Sequence, residues 1–460
     1  MSYTEHLARK RLTIPPTGIP NPPSLNPLLF DFQQAVTTWA LRRGRAALFL
    51  DTGLGKTWCA IEWARVVSAH TGRPVLILTP LAVARQFVSE GVKLGVVVNL
   101  CRTGEDIGPG VNVLNYDRLE SVDADALGGI VLDESSILKN FTGATRTMLI
   151  DRMRGVRFKL CASATPAPND HTELGNHAEF LGVMTRVEML SMFFAHDGGS
   201  TSDWRLKGHA VADFWQWVAG WAIAIRNPAD IGFDGSRYVL PELSLRQVVV
   251  EDAPDLAADS GMILGYEAAT LTEQRRARKS SLAPRVEMAA SMANQSSEPW
   301  LIWCDLNDES ASLAKAIPDA VEVTGSMTQE QKEDGIWGFI EGRHRVLVSK
   351  PSIAGAGLNM QRCADVAFVG LGHSWEQYYQ AIRRVYRFGQ LRAVNAHIIT
   401  SRAEGRVVAS IERKQADADR MAAGMVAAMR DAMTAELRAG GVTRDDYNPQ
   451  ERMRVPQWLT

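Results

Sequence analysis

The chain alternates short apolar runs with longer stretches that are compatible with helices. In the first half, runs bounded by turn residues are Ala46 to Leu50, Val75 to Thr79, Val111 to Asn115, Ile130 to Leu132 and Lys159 to Ala162. A second series is Leu301 to Cys304, Val321 to Thr324, Arg345 to Val348, Val366 to Val369 and Ala396 to Ile399. Buried strands that alternate with helices are typical of parallel sheets with crossover helices. The pattern therefore predicts an α/β protein with two lobes, each built on a parallel sheet.

The length also favours more than one domain, because 460 residues exceed what one hydrophobic core normally supports. The predicted segments are an extended proline-rich arm (1–28), a first lobe (29–240), a linker (241–285), a second lobe (286–410) and a C-terminal helical extension (411–460). Within the first lobe, the tryptophan-rich stretch at about 185–235 lacks the strand rhythm. We expect it to be a mostly helical insertion.

The C-terminal extension carries methionines at a four-residue spacing, namely Met421, Met425, Met429 and Met433. This spacing places the four side chains on one face of a helix. Methionine adapts its shape to irregular apolar surfaces. The stripe therefore predicts that the helix docks on another part of the protein.

Composition and charge restrict the possible partners. The formal net charge is −2, so any contact with nucleic acid must come from a local basic track. The cluster of Arg275, Arg276, Arg278 and Lys279 is one such track, and it is either a solvated helix face or a contact to the DNA backbone. Its placement in the linker leaves both interpretations open.

The five cysteines lie far apart, without the close pairs that zinc sites use, which indicates reduced thiols. Met1 to Lys10 is polar, and no segment approaches the roughly 18 apolar residues of a membrane span. We therefore expect neither a secretory signal nor a membrane anchor, and a cytoplasmic location.

A glycine-rich turn follows the first apolar run, as Asp51-Thr52-Gly53-Leu54-Gly55-Lys56-Thr57, and a predicted helix begins directly after it. This is the context of a phosphate-binding loop. The glycines let backbone N–H groups approach phosphate oxygens, Lys56 supplies a positive charge, and the Thr57 hydroxyl can ligate Mg²⁺. Leu50 stands where the strict pattern has glycine, so the match is to a helicase variant of the loop.

An acidic pair follows a later strand, about 77 residues beyond the loop. Asp133 and Glu134 come directly after Ile130 to Leu132. In this context we expect Asp133 to hold Mg²⁺ and Glu134 to orient and activate the attacking water. The next strand ends in Ser163-Ala164-Thr165-Pro166, whose hydroxyls can sense the terminal phosphate.

In the second half, Gln380, Arg384 and Arg387 lie at positions i, i+4 and i+7. This spacing places them on one face of a predicted helix. Arginines that project into a cleft between two lobes can stabilise charge on a transferring phosphoryl group. A solvated basic helix face is the alternative, and the order of the other motifs argues against it.

With these motifs in this order, the chain resembles the superfamily 2 helicases and, within them, the SWI/SNF-like translocases of double-stranded DNA. The resemblance spans roughly Leu29 to Ile399, and the chain looks like a compact bacterial or phage-type member of the family. It implies two RecA-like lobes that bind ATP and Mg²⁺ between them. The ending Arg387-Phe388-Gly389-Gln390 resembles the SWI/SNF branch and implies a duplex DNA partner, in a bacterial cell or a phage-infected host.

The resemblance also assigns residues to roles. Gln33 resembles the adenine-reading residue, and Thr52, Gly53, Leu54, Gly55, Lys56, Thr57, Gly357 and Gln380 resemble the other nucleotide-binding positions. The catalytic positions implied are Lys56, Asp133, Glu134, Arg384 and Arg387, with Thr57 and Asp133 on the metal. The positions implied for DNA contact or coupling are Pro80, Gln86, Ser163, Thr165 and Asn359.

These features predict a motor that couples ATP hydrolysis to movement on duplex DNA. A helicase that separates strands or acts on branched DNA shares the same motifs and stays open as an alternative. A DNA-binding clamp without ATPase activity is a third possibility, although Lys56, Glu134 and both arginines argue against it. A kinase or GTPase would not need the second lobe.

Overall fold

The computed structural model describes residues 14–80, 83–139, 143–167, 170–196, 204–251, 281–355, 357–370, 374–401 and 405–439. The basic cluster at 275–279, Asn140 and Ala356 lie outside these ranges. Within them, no helix is long and apolar enough to cross a bilayer.

The first sheet has seven parallel strands in the order β3-β4-β2-β5-β6-β1-β9. Its strands are β1 (Arg45–Leu50), β2 (Val75–Thr79), β3 (Val98–Leu100), β4 (Val111–Asn115), β5 (Gly129–Asp133), β6 (Phe158–Ala162) and β9 (Ala222–Ile225). The central strands are buried along their length because helices cover both faces. This explains why they read as continuous apolar runs in the sequence.

The helices of the first lobe are α1 (Asp31–Arg43), α2 (Lys56–Thr71), α3 (Ala84–Leu94), α4 (Gly143–Arg152), α5 (Leu174–Leu181), α6 (Arg186–Phe193) and α7 (Val211–Ala219). Two short strands, β7 (Phe194–His196) and β8 (Trp204–Leu206), pair in antiparallel orientation. The extended arm lies along the end of α1, where the backbone N–H groups of Thr17, Gly18 and Ile19 donate to its carbonyls.

The stretch at 185–235 differs from the predicted helical insertion. It contains α6, α7 and the paired strands β7 and β8. It also contributes β9, an edge strand of the main sheet beside β1. The run Ala222 to Ile225 is short, entirely apolar and directly follows α7. Periodicity alone cannot separate such a buried strand from a continuing helix.

The second sheet has six parallel strands in the order β10-β15-β14-β11-β13-β12. Its strands are β10 (Leu243–Val250), β11 (Trp300–Trp303), β12 (Ala320–Val323), β13 (Val346–Ser349), β14 (Asp365–Phe368) and β15 (Val394–Ser401). Its helices are α8 (Leu282–Asn294), α9 (Asn307–Ala316), α10 (Gln329–Glu341), α11 (Pro351–Ala354) and α12 (Trp375–Ile382). Because β10 pairs with β15, part of the predicted linker belongs to the second sheet.

The last helix, α13 (Gly405–Ala439), packs on both lobes. Near its start, Val408 and Ile411 lie in the core of the second lobe, whereas Met429 and Met433 lie in the core of the first. The sulfur of Met433 accepts a hydrogen bond from the backbone N–H of Ala224 at 3.2 Å. The helix therefore covers the edge of the first sheet and connects the two lobes.

Charged residues reinforce this position of α13. The Arg226 guanidinium contacts the Asp419 carboxylate at 3.0 Å, and Arg430 lies 3.7 Å from Asp230. Both pairs join α13 to the first lobe near the end of β9. Such partly exposed pairs contribute little energy compared with the buried methionines.

We expect Met429→Ala to lower the free energy of unfolding of the first lobe by about 2–5 kcal/mol, as for other buried large-to-small changes. The reason is that Met429 is fully buried in the core of that lobe although it comes from the C-terminal helix. Urea unfolding followed by tryptophan fluorescence measures the change. Asp431→Ala, at an exposed position of the same helix, is the control, and equal effects of the two substitutions would contradict the docking.

Candidate nucleotide and metal site

The glycine loop (Asp51–Thr57) lies between β1 and α2 at the carboxyl edge of the first sheet. Gly53 and Gly55 have positive φ values of 89° and 80°. A Cβ at Gly53 would lie 2.7 Å from the backbone nitrogen of Phe388, and one at Gly55 would lie 2.1 Å from Nε2 of Gln33. Both positions therefore require glycine because of backbone conformation and close contact.

Gln33 is tied to this loop rather than directed into open space. Its Nε2 donates to the carbonyl of Leu54 at 3.0 Å, and its Oε1 accepts from the backbone N–H of Phe30 at 3.0 Å. Both hydrogen bonds use the side-chain amide, which is also the group that would contact an adenine base. A base contact by Gln33 would therefore act on the conformation of the glycine loop.

Lys56 begins α2 and donates from Nζ to the carbonyls of Leu50 at 2.8 Å and Asp51 at 3.4 Å. Burial lowers the pKa of Lys56, and the nearby carboxylates of Glu134, Asp51 and Asp133 act in the opposite direction. The ammonium group therefore lies among three acidic side chains, in a position to move toward an anion bound by the loop. Thr57, next in the helix, is half-buried.

Asp133 ends β5, next to β2, and its carboxylate is held by a neighbour. The hydroxyl of Thr79 donates to Oδ2 of Asp133 at 2.8 Å, and the hydroxyl of Tyr116 donates to its backbone carbonyl at 2.7 Å. Burial, followed by the charge of Glu134, raises the pKa of Asp133 to about 7. A bound cation would remove this penalty, since it favours the ionised carboxylate.

Glu134 has a φ of 51°, the one positive value found at a non-glycine residue in the described ranges. Non-glycine residues in this conformation are strained, and such strain clusters at functional sites. Its Oε2 is buried without a hydrogen-bond partner among the described residues. The backbone thus forces an acceptor into an enclosed place where a water or ligand can meet it.

The arginines of the second lobe follow α12 instead of sharing its face. The sequence predicts one helix through Gln380, Arg384 and Arg387, but α12 ends at Ile382. The side chain of Arg384 explains the ending, because it donates to the backbone carbonyl of Gln380 at 2.8 Å and to Oε1 of Gln380 at 2.6 Å. The prediction that all three side chains share one helix face is therefore wrong, because Arg384 and Arg387 lie beyond the end of the helix.

Both arginines donate a hydrogen bond to the same backbone carbonyl. Nη1 of Arg384 and Nη1 of Arg387 donate to the carbonyl of Leu358, at 3.4 and 3.3 Å. Burial lowers the pKa of Arg384, and Glu134 and Asp133 oppose this shift. Burial and the charge of Arg384 lower the pKa of Arg387 to about 9, again opposed by Glu134. The carboxylates of one lobe therefore act electrostatically on the arginines of the other.

Asp51 makes the direct polar contacts between the lobes at this site. Its Oδ1 accepts from the hydroxyl of Tyr379 at 3.0 Å, and its Oδ2 lies 3.8 Å from Nη2 of Arg383. The Arg383 guanidinium lies over the rings of Tyr379 and Tyr386, at 4.9 and 5.7 Å. The sequence analysis included Asp51 in the glycine loop without assigning it a role, and it assigned no role to Tyr379, Arg383 or Tyr386, although a third arginine beside the predicted pair was visible.

A group of aromatic rings also joins the lobes beside the loop. Phe388 stacks on Tyr238 at 4.7 Å and meets Phe30 edge-on at 6.2 Å. A cavity of about 320 Å³ opens here, between Thr52 and Leu54 of the glycine loop and the Arg383 region of the second lobe. Sequence reasoning missed Tyr238 because it lies nearly 200 residues from the loop.

The sequence predicts a nucleotide contact for Gly357 and a coupling role for Ser163, Thr165 and Asn359. A Cβ at Gly357, which has a φ of 66°, would lie 2.2 Å from Val83 of the first lobe. The side-chain oxygens of Asn359 and Thr165 are buried and without partners in the described part of the chain. Ser163 accepts from the backbone N–H of Thr165 at 3.1 Å.

Pro80 and Gln86 differ in their exposure. Pro80 is half-buried and directly follows β2, whereas Gln86 is only 4% exposed. The structure therefore does not bring the Gln86 side chain to a surface that a nucleic acid could reach. The helical pattern of α3 accounts for this, because Gln86 and Phe87 both lie on its buried side.

A nucleoside triphosphate and a magnesium ion fit these residues. The loop offers a backbone shape that only glycine permits, and unpartnered buried oxygens occur at Glu134, Asn359 and Thr165. Lys56, Thr57 and Asp133 have the donor types that phosphate and Mg²⁺ require. Positive groups from both lobes are thus available around one anionic ligand.

Two comparisons with known proteins agree with this geometry. Residues 286–389 match the helicase conserved C-terminal domain, a region that contains Gly357, Asn359, Gln380, Arg384 and Arg387. A mouse protein described as DNA annealing helicase and endonuclease ZRANB3 is 31% identical over an alignment of 179 positions, which covers 35% of this chain. The match spans 16% of that relative's length. Both similarities are to helicases, and each covers only part of this chain.

We expect Asp133→Asn to remove a pH dependence of stability. Because the folded protein raises the pKa of Asp133 from its ordinary value to about 7, the stabilising protonated form is lost as the pH rises through 7. Between about pH 4 and pH 7, that is, from the ordinary pKa of an aspartate to the raised value in the folded protein, the wild type should therefore lose unfolding free energy relative to the variant, and the loss should level off above about pH 7. Urea unfolding without magnesium measures this difference. Parallel pH curves for the two proteins would contradict the burial of Asp133 as an acid.

We expect Tyr379→Phe to weaken the closed arrangement of the lobes by about 1 kcal/mol, because it removes the hydrogen bond to Asp51. Small-angle X-ray scattering should then show a larger radius of gyration than in the wild type. Tyr386→Phe is the matched control, since this ring also lies beside Arg383. If both variants scattered alike, the contact to Asp51 would have no role in closure.

Proposed function

We propose that the protein is a DNA-dependent ATPase that uses ATP hydrolysis to move along duplex DNA. The observation that carries the proposal is the meeting of two charge sets at the lobe junction. Lys56, Asp133 and Glu134 come from the first lobe, and Arg384 and Arg387 come from the second, and the pKa values of both arginines depend on Glu134. Such a divided site is complete only when the lobes are together.

Each residue has a chemical task in this proposal. The amides of the glycine loop and Lys56 bind the phosphates, and Thr57 and Asp133 hold the magnesium ion. A magnesium ion bound there together with ATP would partly neutralise the negative charge that develops as the phosphoanhydride bond breaks. Glu134 orients the attacking water and accepts its proton, while Arg384 and Arg387 stabilise the negative charge that grows on the transferred group.

Hydrolysis is coupled to movement through the lobe contacts. Phe388 touches Gly53, Gly357 touches Val83, and Tyr379 bonds Asp51, so three separate contacts form or break as the lobes close or open. The α13 helix contributes side chains to the cores of both lobes. Alternating closure of two DNA-bound lobes advances one lobe past the other along the strand.

The choice of duplex DNA is supported by the resemblance of the Arg387 to Gln390 ending and by the relative's description as a DNA helicase. Contacts to phosphates make such binding independent of sequence and sensitive to salt. The word annealing in that description favours a second candidate, a motor that rewinds separated strands. Separation of the strands of forked DNA is the third candidate activity of the same motor.

We expect Glu134→Gln to lower DNA-stimulated ATP hydrolysis at least about 100-fold, as for the loss of a general base, while binding of a fluorescent ATP analogue is kept. Hydrolysis is measured without nucleic acid and with duplex DNA, single-stranded DNA, forked DNA and RNA. Glu105→Gln, at an exposed position of the first lobe, is the control. Stimulation by RNA alone would sink the DNA assignment, and normal hydrolysis by Glu134→Gln would sink its assigned role.

Three substrates separate the modes of movement. Displacement of a triplex-forming strand without unwinding of a fork identifies a duplex translocase. Closure of a protein-coated single-stranded bubble identifies rewinding, and release of a strand from a fork identifies a helicase. The Glu134→Gln protein must be inactive in each assay for the activity to be attributed to this site.

A further inference from the structure

Thr79 occupies a place that the predicted site does not use. It is the last residue of β2, it is fully buried, and its hydroxyl donates to Oδ2 of Asp133 at 2.8 Å. The neighbouring strand β5 ends at Asp133, so the two side chains meet at the carboxyl edge of the sheet. A hydroxyl that holds one oxygen of a carboxylate also fixes the direction of the other oxygen.

The chain on the other side of Thr79 leads to the second lobe. Pro80 follows directly, and its carbonyl accepts from the backbone N–H of Val83 at 3.0 Å. Val83 closely approaches Gly357, and Arg85 lies 3.5 Å from Glu333 of α10. A single short stretch of chain therefore contacts Asp133 at one end and the second lobe at the other.

The second-lobe end of this connection lies beside the arginines. Gly357 precedes Leu358, whose carbonyl accepts from both Arg384 and Arg387.

We propose that Thr79 is a positioning residue that orients Asp133 toward magnesium. The proposal rests on the proposed function, because Asp133 holds magnesium only if this site binds ATP together with that metal. A bond that only held β2 to β5 would change stability and leave the magnesium dependence of nucleotide binding unaltered. That difference makes the role measurable without hydrolysis.

The experiment titrates magnesium into the full-length chain with a fluorescent N-methylanthraniloyl derivative of ATP and records the midpoint of nucleotide binding. Thr79→Val and Thr79→Ala both remove the hydroxyl, and each should raise the magnesium midpoint about tenfold, the lower end of the loss seen when partners of metal ligands are removed. Thr79→Ser restores the donor and should keep the wild-type midpoint. Two hydroxyl-free variants keep the test available if one of them does not fold.

Thr400→Val is the matched control, because Thr400 is also a buried strand threonine with one side-chain partner, Gln247, in the second sheet. It should leave the midpoint unchanged. A wild-type midpoint in Thr79→Val and Thr79→Ala would overturn the proposal, as would a Thr79→Ser midpoint raised as far as theirs.

Failure of the motor function itself would appear separately, as absent DNA stimulation of wild-type hydrolysis, while the magnesium midpoints still test the positioning of Asp133.

Discussion

Five ionisable groups of opposite charge meet where the two lobes touch, and this arrangement constrains the rest of the structure. Lys56, Asp133 and Glu134 belong to the first lobe, and Arg384 and Arg387 follow α12 of the second lobe. Charges removed from water are costly unless they are paired or solvated by a ligand. The first-lobe carboxylates and the second-lobe arginines therefore depend on each other, and separation of the lobes or arrival of a polyanion changes the energy of all five.

Apolar packing of the last helix on both lobes keeps these charged groups near one another. Met429 and Met433 of the last helix are buried in the first lobe, while the start of that helix is part of the second. Apolar contact of this kind is strong and not directional, so it tethers the lobes while polar contacts choose their arrangement. Asp51 accepts a hydrogen bond from Tyr379 and forms an ion pair with Arg383. Both contacts depend on distance and direction, so small rotations of the lobes change them.

The carboxyl edge of the first sheet concentrates strain and unsatisfied polar groups. Glu134 adopts a positive φ, its Oε2 lacks a described partner, and the neighbouring Asp133 has a raised pKa. A stable fold tolerates such costs where the surrounding strands over-determine the geometry. Here β5 lies between β2 and β6 in the middle of a seven-stranded sheet, which supplies that rigidity.

The sequence by itself determined the local features, namely two parallel sheets, the glycine loop, the acidic pair at the end of β5 and the methionine stripe of α13. Each of these depends on the period of apolar residues or on backbone needs that only glycine meets, and such signals are local. Only the tertiary structure decided that β9 and β10 join the sheets, that α12 ends before Arg384, that Gln86 is buried, and that Asp51, Thr79, Tyr238 and Tyr379 take part. These outcomes depend on which residues, hundreds of positions apart, compete for the same hydrogen bonds and the same buried space, and no pattern within one segment records that competition.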